Sequence, residues 1–190
     1  MRQLLYKLGS VICFLSFSAC FSDEGNKIDA FKYEGPNLTS FDLNVDYTDS
    51  ARLTMNLIAK EQLIFENDNQ EFPKGIFVTF YDEAEKISST IKSNYAYYIV
   101  SEDKWKLTGD VLVDNKKKNE KLETQELYWQ PEGYDTLVNN EELIVNITVD
   151  EKDSVKVTTP DQELTGNGLI ARDDFSYYKI KKVRGITYLE

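Results

Sequence analysis

The sequence predicts an all-β domain, and three observations predict it. Tyr, Phe, Val, Ile and Thr are plentiful, residues that suit a pleated, half-buried surface, and there is no long Ala/Leu-rich helical stretch. Apolar residues alternate with a period of two in one segment after another. Turn-forming residues punctuate these segments with no helical pattern between them, the spacing of a sandwich, a jelly roll or an open barrel.

The first 19 residues read as a targeting segment. Arg2 and Lys7 form a basic start, Val11–Phe17 is a short apolar run, and Ser18-Ala19-Cys20 precedes the polar Ser22-Asp23-Glu24-Gly25. The apolar run is about half of the ~20 residues a spanning helix needs. Small residues before a cysteine resemble a lipobox, which would make Cys20 the acylated first residue of a lipoprotein, although Phe17 stands where leucine is usual. An uncleaved or ordinarily cleaved signal is the alternative. Residues 20–46 are polar and weakly patterned, with Gly25, Gly35 and Pro36, and read as a tether; the domain is expected over 47–190.

From Tyr47 the pattern sharpens. Leu53, Met55, Leu57 and Ala59 alternate, with a helix as the open alternative because Leu53 and Leu57 are also four apart. Phe72-Pro73-Lys74-Gly75 is a turn, Ile76–Tyr81 a strand, and Asp82-Glu83-Ala84-Glu85 the next turn. Further strands are expected at Ile87–Ile91, Tyr95–Val100 and Trp105–Val113, the last interrupted by Gly109, which suggests a bulge. The series continues through Leu122–Trp129, Leu143–Val149, Val155–Thr158, Leu169–Ala171 and Tyr177–Tyr188. Leu107-Thr108-Gly109-Asp110 returns as Leu164-Thr165-Gly166-Asn167, a weak sign of repeated hairpins.

Composition narrows the function. Hydrophobic residues at 41% and aromatics at 13% are enough for a core, so disorder throughout is excluded. A net charge of −11 disfavours nucleic acid, whose binding rests on Lys/Arg contacts to phosphate. It also argues that a lipid ligand would be held by its apolar part. The one basic run, Lys116-Lys117-Lys118, reads as a hairpin tip. Histidine is absent, and Cys13 and Cys20 both lie in the leader, so no disulfide framework and no Cys/His metal site is expected. Neither a cofactor nor a metal is called for.

Little points to catalysis. Asp42-Leu43-Asn44-Val45-Asp46 echoes a calcium loop but lacks its Gly and its closing Glu, and reads as tether. The doublets Asp82-Glu83, Glu141-Glu142 and Asp173-Asp174 fall at expected turns, where solvated charge is the default. Phosphate loops, serine elbows and zinc motifs are absent. Tyr95, Tyr97 and Tyr98 read as packing on both faces of a strand. Alternating residues either press two sheets into a closed sandwich or line a dry trough between splayed ones; the pattern leaves both open. An enzyme is not expected.

A family resemblance adds to this reading. Glu71-Phe72-Pro73-Lys74-Gly75-Ile76-Phe77-Val78-Thr79-Phe80-Tyr81-Asp82, Leu122-Glu123-Thr124-Gln125-Glu126-Leu127-Tyr128-Trp129, and the closing Gly166–Ala171 and Asp174–Gly185 resemble, in order and spacing, Bacteroidetes-type LptC proteins of lipopolysaccharide export. The resemblance implies an open, twisted β jelly roll of the OstA/LptA-like kind, V-shaped with a hydrophobic groove. It implies a periplasmic, inner-membrane-anchored protein that takes lipopolysaccharide from an ABC transporter and passes it to an LptA-like bridge protein. Strand parity together with the family pattern puts Leu57, Ala59, Val78, Phe80, Ile91, Val111, Val113, Leu127, Val145, Ile147 and Val157 in the groove, against lipid A acyl chains. The last strand, with Tyr178, Ile180, Lys182 and Val183, would be the edge offered to the bridge protein. The edge near Tyr47–Leu57 would face the transporter's periplasmic domain. The alternative is a lipoprotein with a closed β-sandwich that binds protein or glycan partners.

Overall fold

A computed structural model describes residues 33–138 and 141–187. They form a single sheet of 11 strands: β1 (Leu38–Asp49), β2 (Arg52–Ile64), β3 (Gln70–Phe72), β4 (Ile76–Tyr81), β5 (Ile87–Ser93), β6 (Tyr95–Ile99), β7 (Lys104–Asn115), β8 (Glu120–Val138), β9 (Glu141–Thr158), β10 (Gln162–Ala171) and β11 (Tyr178–Thr187). All pairings are antiparallel. Among the described residues the only helical element is a 3-10 turn at Val100–Glu102, and no helix is long and apolar enough to cross a membrane. The leader and Cys20 lie outside the described residues.

One row of bends gives the sheet its form. β2 pairs through Met55–Ala59 with β4 and through Leu63 and Ile64 with β3. β7 pairs through Lys104–Thr108 with β6 and through Leu112–Asn115 with β5. The sheet therefore folds into two leaves that share their long strands, β4 and β5 in the first and β3 and β6 in the second. The bends align across the strands: at Pro73–Gly75, at Asn94, at Gly109-Asp110, and at the register shifts between Thr124 and Tyr128 and between Asn167 and Leu169.

Residue choice at this seam follows from crowding. Gly75 adopts φ +77°, and a Cβ there would stand 2.1 Å from the Ser93 carbonyl oxygen. Gly109, at φ +76°, faces the Asn94 side chain, and Gly168, at φ +72°, faces the Glu151 backbone. Left-handed backbone with no room for a side chain admits only glycine. Polar side chains tie adjacent bends together. Asn94 Nδ2 donates to Asp110 at 3.0 Å, Gln125 Nε2 donates to the same carboxylate at 3.2 Å, and the Thr124 hydroxyl donates to the Ser154 carbonyl at 2.8 Å. Both copies of the Leu-Thr-Gly repeat end at irregularities of this kind, Gly109 in the β7–β8 pairing and Gly166 in the β10–β11 pairing.

The structure corrects four expectations. The expected tether ends too late, because residues 38–46 belong to β1, which pairs with β2 along its length. β1 is a sheet edge with most of its side chains exposed, so only Ser40, Leu43 and Val45 are half-buried and the alternation is faint. The N-terminal edge is therefore β1 rather than the segment Tyr47–Leu57, since β2 is covered on both sides. Leu143–Val149 and Val155–Thr158 are parts of one strand, β9, whose polar Asp150–Ser154 stretch bulges at the seam instead of turning back. Glu141-Glu142 accordingly opens a strand rather than sitting in a turn.

Because Gly75 needs both positive φ and an absent Cβ, Gly75→Ala is expected to destabilise the domain by about 2 kcal/mol or more in urea titration. Unchanged stability would mean that the seam can shift to admit a side chain.

Candidate functional site

The seam makes the two inner faces converge, and the alternating residues line the space between them. Leu57, Val78, Ile91, Val113 and Val157 on the first leaf, and Leu127, Val145 and Ile147 on the second, are each at most 3% exposed. Ala59 and Val111, beside the seam, are equally buried. Phe80, near the free end of β4, is half-buried and packs on the same cluster. Val145 is buried apart from the main cluster, and the other positions singled out in the sequence lie on one continuous apolar face. That face also holds Phe72, Ala96, Trp105, Leu107, Leu122, Trp129, Val149, Val155, Leu169 and Ala171, which share its alternation.

An aromatic cluster lines the second leaf and reaches the first through one ring pair. Trp105 stacks on Phe72 at 5.6 Å and on Tyr98 at 4.7 Å, and lies 6.1 Å from Trp129. Phe80 of the first leaf meets Trp129 of the second edge-on at 5.5 Å. Such a pair contributes about 0.5–1.5 kcal/mol beyond its burial. The Trp129 indole N–H is buried without a partner, a condition that costs about 1–3 kcal/mol. The Tyr98 hydroxyl donates to Asp103 at 2.7 Å, and burial together with that bond pushes its pKa up to about 12.

The trough opens at this end. A cavity of about 280 Å³ has Phe80, Ile91, Val113, Trp129 and Ile147 as its floor, and Thr54, Ser88, Asn115, Lys117, Asp173 and Asp174 at its rim. That is just under the ~300–1,000 Å³ of typical small-ligand sites. The loop between β10 and β11 covers one side. Phe175 drops from it into the core at 5% exposure with φ +53°, and Asn115 Nδ2 holds the Asp174 carbonyl at 3.1 Å. Parity reasoning missed Phe175 because it sits in a loop, where period-two patterning has no meaning.

Most charges lie outside this face. Asp82 caps the β4–β5 turn, accepting from the Ala84 and Lys86 amides, and those bonds with nearby Lys117 hold its carboxyl below the usual range. Glu126, Asp150 and Asp153 bring carboxylate oxygens within 4.8 Å of one another at the seam. Lys106 and Lys152 already pair with Glu126 there, at 3.0 and 3.4 Å. The doublet Asp173-Asp174 lies on the exposed rim, with no second carboxylate pair placed across the cavity from it among the described residues.

Both ends of the sheet are single-sided. β1 is bonded only to β2 and β11 only to β10 among the described residues. On β11, Tyr178 and Ile180 face inward and pack on the core, whereas Lys182, at φ +47°, and Val183, at 53% exposure, lie outside it. β1 carries Asp42, Asp46 and Asp49; β11 carries Lys179, Lys181, Lys182 and Arg184.

A rolled antiparallel sheet with an apolar trough and two open edges is the setting in which sequence comparison gives its result. The model of the family described as "Lipopolysaccharide-assembly, LptC-related" matches residues 8–188. The chain belongs to the LptC family. Its fold is the β jelly roll of that family, and membership gives it a role in lipopolysaccharide transport at the cell envelope, with lipopolysaccharide and the export complex as partners in general terms. LptC proteins are known for transport and not as enzymes. No curated protein matches the chain.

Near the mouth, Glu120 pairs across the hairpin with Asn115, and its Oε2 is buried without a partner. Burial pushes this carboxyl above its ordinary 4.5, with Lys118 opposing. The favourable neutral form is fully present in acid, and its contribution is lost as pH rises through the raised value. Glu120→Gln should therefore raise the melting temperature at neutral pH and leave it unchanged in acid. An equal shift at both would assign the effect to packing.

Proposed function

We propose that this LptC protein is a non-enzymatic carrier that shelters lipopolysaccharide acyl chains between the two leaves and hands the lipid on along the sheet. The observation that carries the reading is the continuous buried apolar face, which runs from the seam to a cavity at the leaf tips. Each buried CH₂ is worth ~0.8 kcal/mol, so a trough alone holds a multi-chain lipid without any charged grip. Directional movement draws its energy from the transporter.

On this reading the β1 edge faces the transporter's periplasmic domain and the β11 edge adds the next strand of an LptA-like bridge protein. Unpaired backbone N–H and C=O groups at an edge supply the bonds for such β-augmentation. The domain works in the periplasm, tethered at the inner membrane through acylated Cys20. Mass spectrometry of membrane-extracted protein should find a mature chain beginning at diacylated Cys20; residues 1–19 still attached would remove that anchor.

A second reading has one observation in its favour. The inner residues are almost fully buried in this structure, which is also the state of a closed sandwich that binds protein or glycan through its outer surface. Photo-crosslinking separates the two. A photoreactive residue at Phe80 or Val113 should capture lipopolysaccharide in cells, and one at Leu112, on the opposite face of β7, should not. Equal capture from both faces, or none from the inner one, would favour the closed sandwich.

The edge is tested separately. Val183→Pro removes a backbone donor from an exposed part of β11, and deletion of residues 177–190 removes the strand. Both variants, checked for retained folding, are expected to lose affinity for the bridge protein in a pull-down. Full affinity in both would refute the β11 interface.

A further inference from the structure

The outer face of the first leaf carries a patch that the overall charge conceals. Ile58 of β2 and Phe77 of β4 pair directly across the strands, and both point outward at 45% and 41% exposure. Phe77 pairs in turn with Lys92 of β5, and Lys60 lies two residues beyond Ile58 on the same face. Lys74, from the β3–β4 bend, completes the surround. All five residues line one shallow depression of about 250 Å³ at the seam.

The three lysines are exposed, and none lies within ion-pair distance of a carboxylate among the described residues. Asp110 feels Lys92 only at longer range, its carboxylate being held by Gln125 and Asn94. On β1, Asp42 falls between Phe41 and Leu43, the partners of Glu61 and Ala59, and forms no ion pair with Lys60. By contrast Lys104, Lys106, Lys116, Lys117, Lys152 and Lys181 each reach a carboxylate. A chain of net charge −11 thus keeps a local group of unneutralised lysines around two exposed apolar side chains.

We propose that this patch docks the domain on an anionic bilayer surface, Ile58 and Phe77 entering the headgroup boundary and Lys60, Lys74 and Lys92 meeting lipid phosphates. Apolar side chains ringed by cations are the chemistry of an interfacial anchor. The location fits, because the chain preceding Tyr33 joins the domain through β1, the strand beside Ile58 and Lys60. The contact holds the first leaf against the membrane and leaves the trough's inner face and the β11 edge free.

The test uses the full-length chain reconstituted into vesicles free of lipopolysaccharide, with a photoreactive residue at Phe77. Lipid adducts are expected when the vesicles contain phosphatidylglycerol and not when they are purely phosphatidylcholine. Each lysine near an anionic surface is worth a factor of roughly five in binding, so Lys60→Gln/Lys74→Gln/Lys92→Gln should lower the adduct yield more than tenfold. A photoreactive residue at Ile144, 52% exposed on β9, is the control and should give no adduct. The proposal is overturned by protein-only adducts at Phe77, by equal yields in neutral vesicles or at Ile144, or by a folded triple variant that crosslinks as before.

Discussion

Every strand of the domain that crosses the roll must bend at the same row. A hydrogen-bonded sheet transmits geometry sideways, so one strand left straight would pull its neighbours out of register. The close approach of Gly75 to the Ser93 carbonyl, of Gly109 to Asn94 and of Gly168 to Glu151 is how this chain meets the constraint. The amide and hydroxyl bonds among Asn94, Asp110, Gln125, Thr124 and Ser154 then saturate polar groups that the bends would strand. Once the row is fixed, the inner faces must converge and everything apolar on them is buried together. Trough, aromatic tips and open edges all follow from the shared bend.

The same geometry sets how the trough would yield to a lipid. Near the seam the leaves share strands and cannot part without breaking the ladder. At the tips they meet through side chains, chiefly Phe80 against Trp129 and Phe175 from the covering loop. The aromatic pair is worth about 1 kcal/mol, while an acyl segment of only a few methylenes gains more than that at ~0.8 kcal/mol each. On the proposed reading the tips are where entry begins. The unpaired Trp129 N–H, the half-buried Phe80 and the left-handed Phe175 all lie in this part of the core.

Much of the architecture was legible because strand parity is a local property. Strand parity, together with the family pattern, placed Leu57, Val78, Ile91, Val113 and Ile147 on one face, and the turn at Phe72–Gly75 and the break at Gly109 announced themselves by residue type. What stayed hidden depends on partners far along the chain. β1 looked like a tether because an edge strand buries little, and β9 looked like two strands because Asp150–Ser154 is as polar as a turn. Phe175 enters the core from a loop, and Lys60, Lys74 and Lys92 become neighbours only through the β2–β4–β5 register. No window along the sequence contains that proximity, so its net charge suggested a surface uniformly hostile to anions.

The opposed composition of the two outermost strands has a consequence at distances where no contact exists. With aspartates along β1 and lysines and arginine along β11, the two edges of the sheet carry charge of opposite sign. In the field of a charged neighbour such a body experiences a torque as well as a force, and it rotates before it arrives. Approach with the wrong edge forward is thereby disfavoured from about a Debye length away, ~8 Å at physiological salt. Polarity along a chain of such domains would begin as an orientation in solution, ahead of any backbone bond.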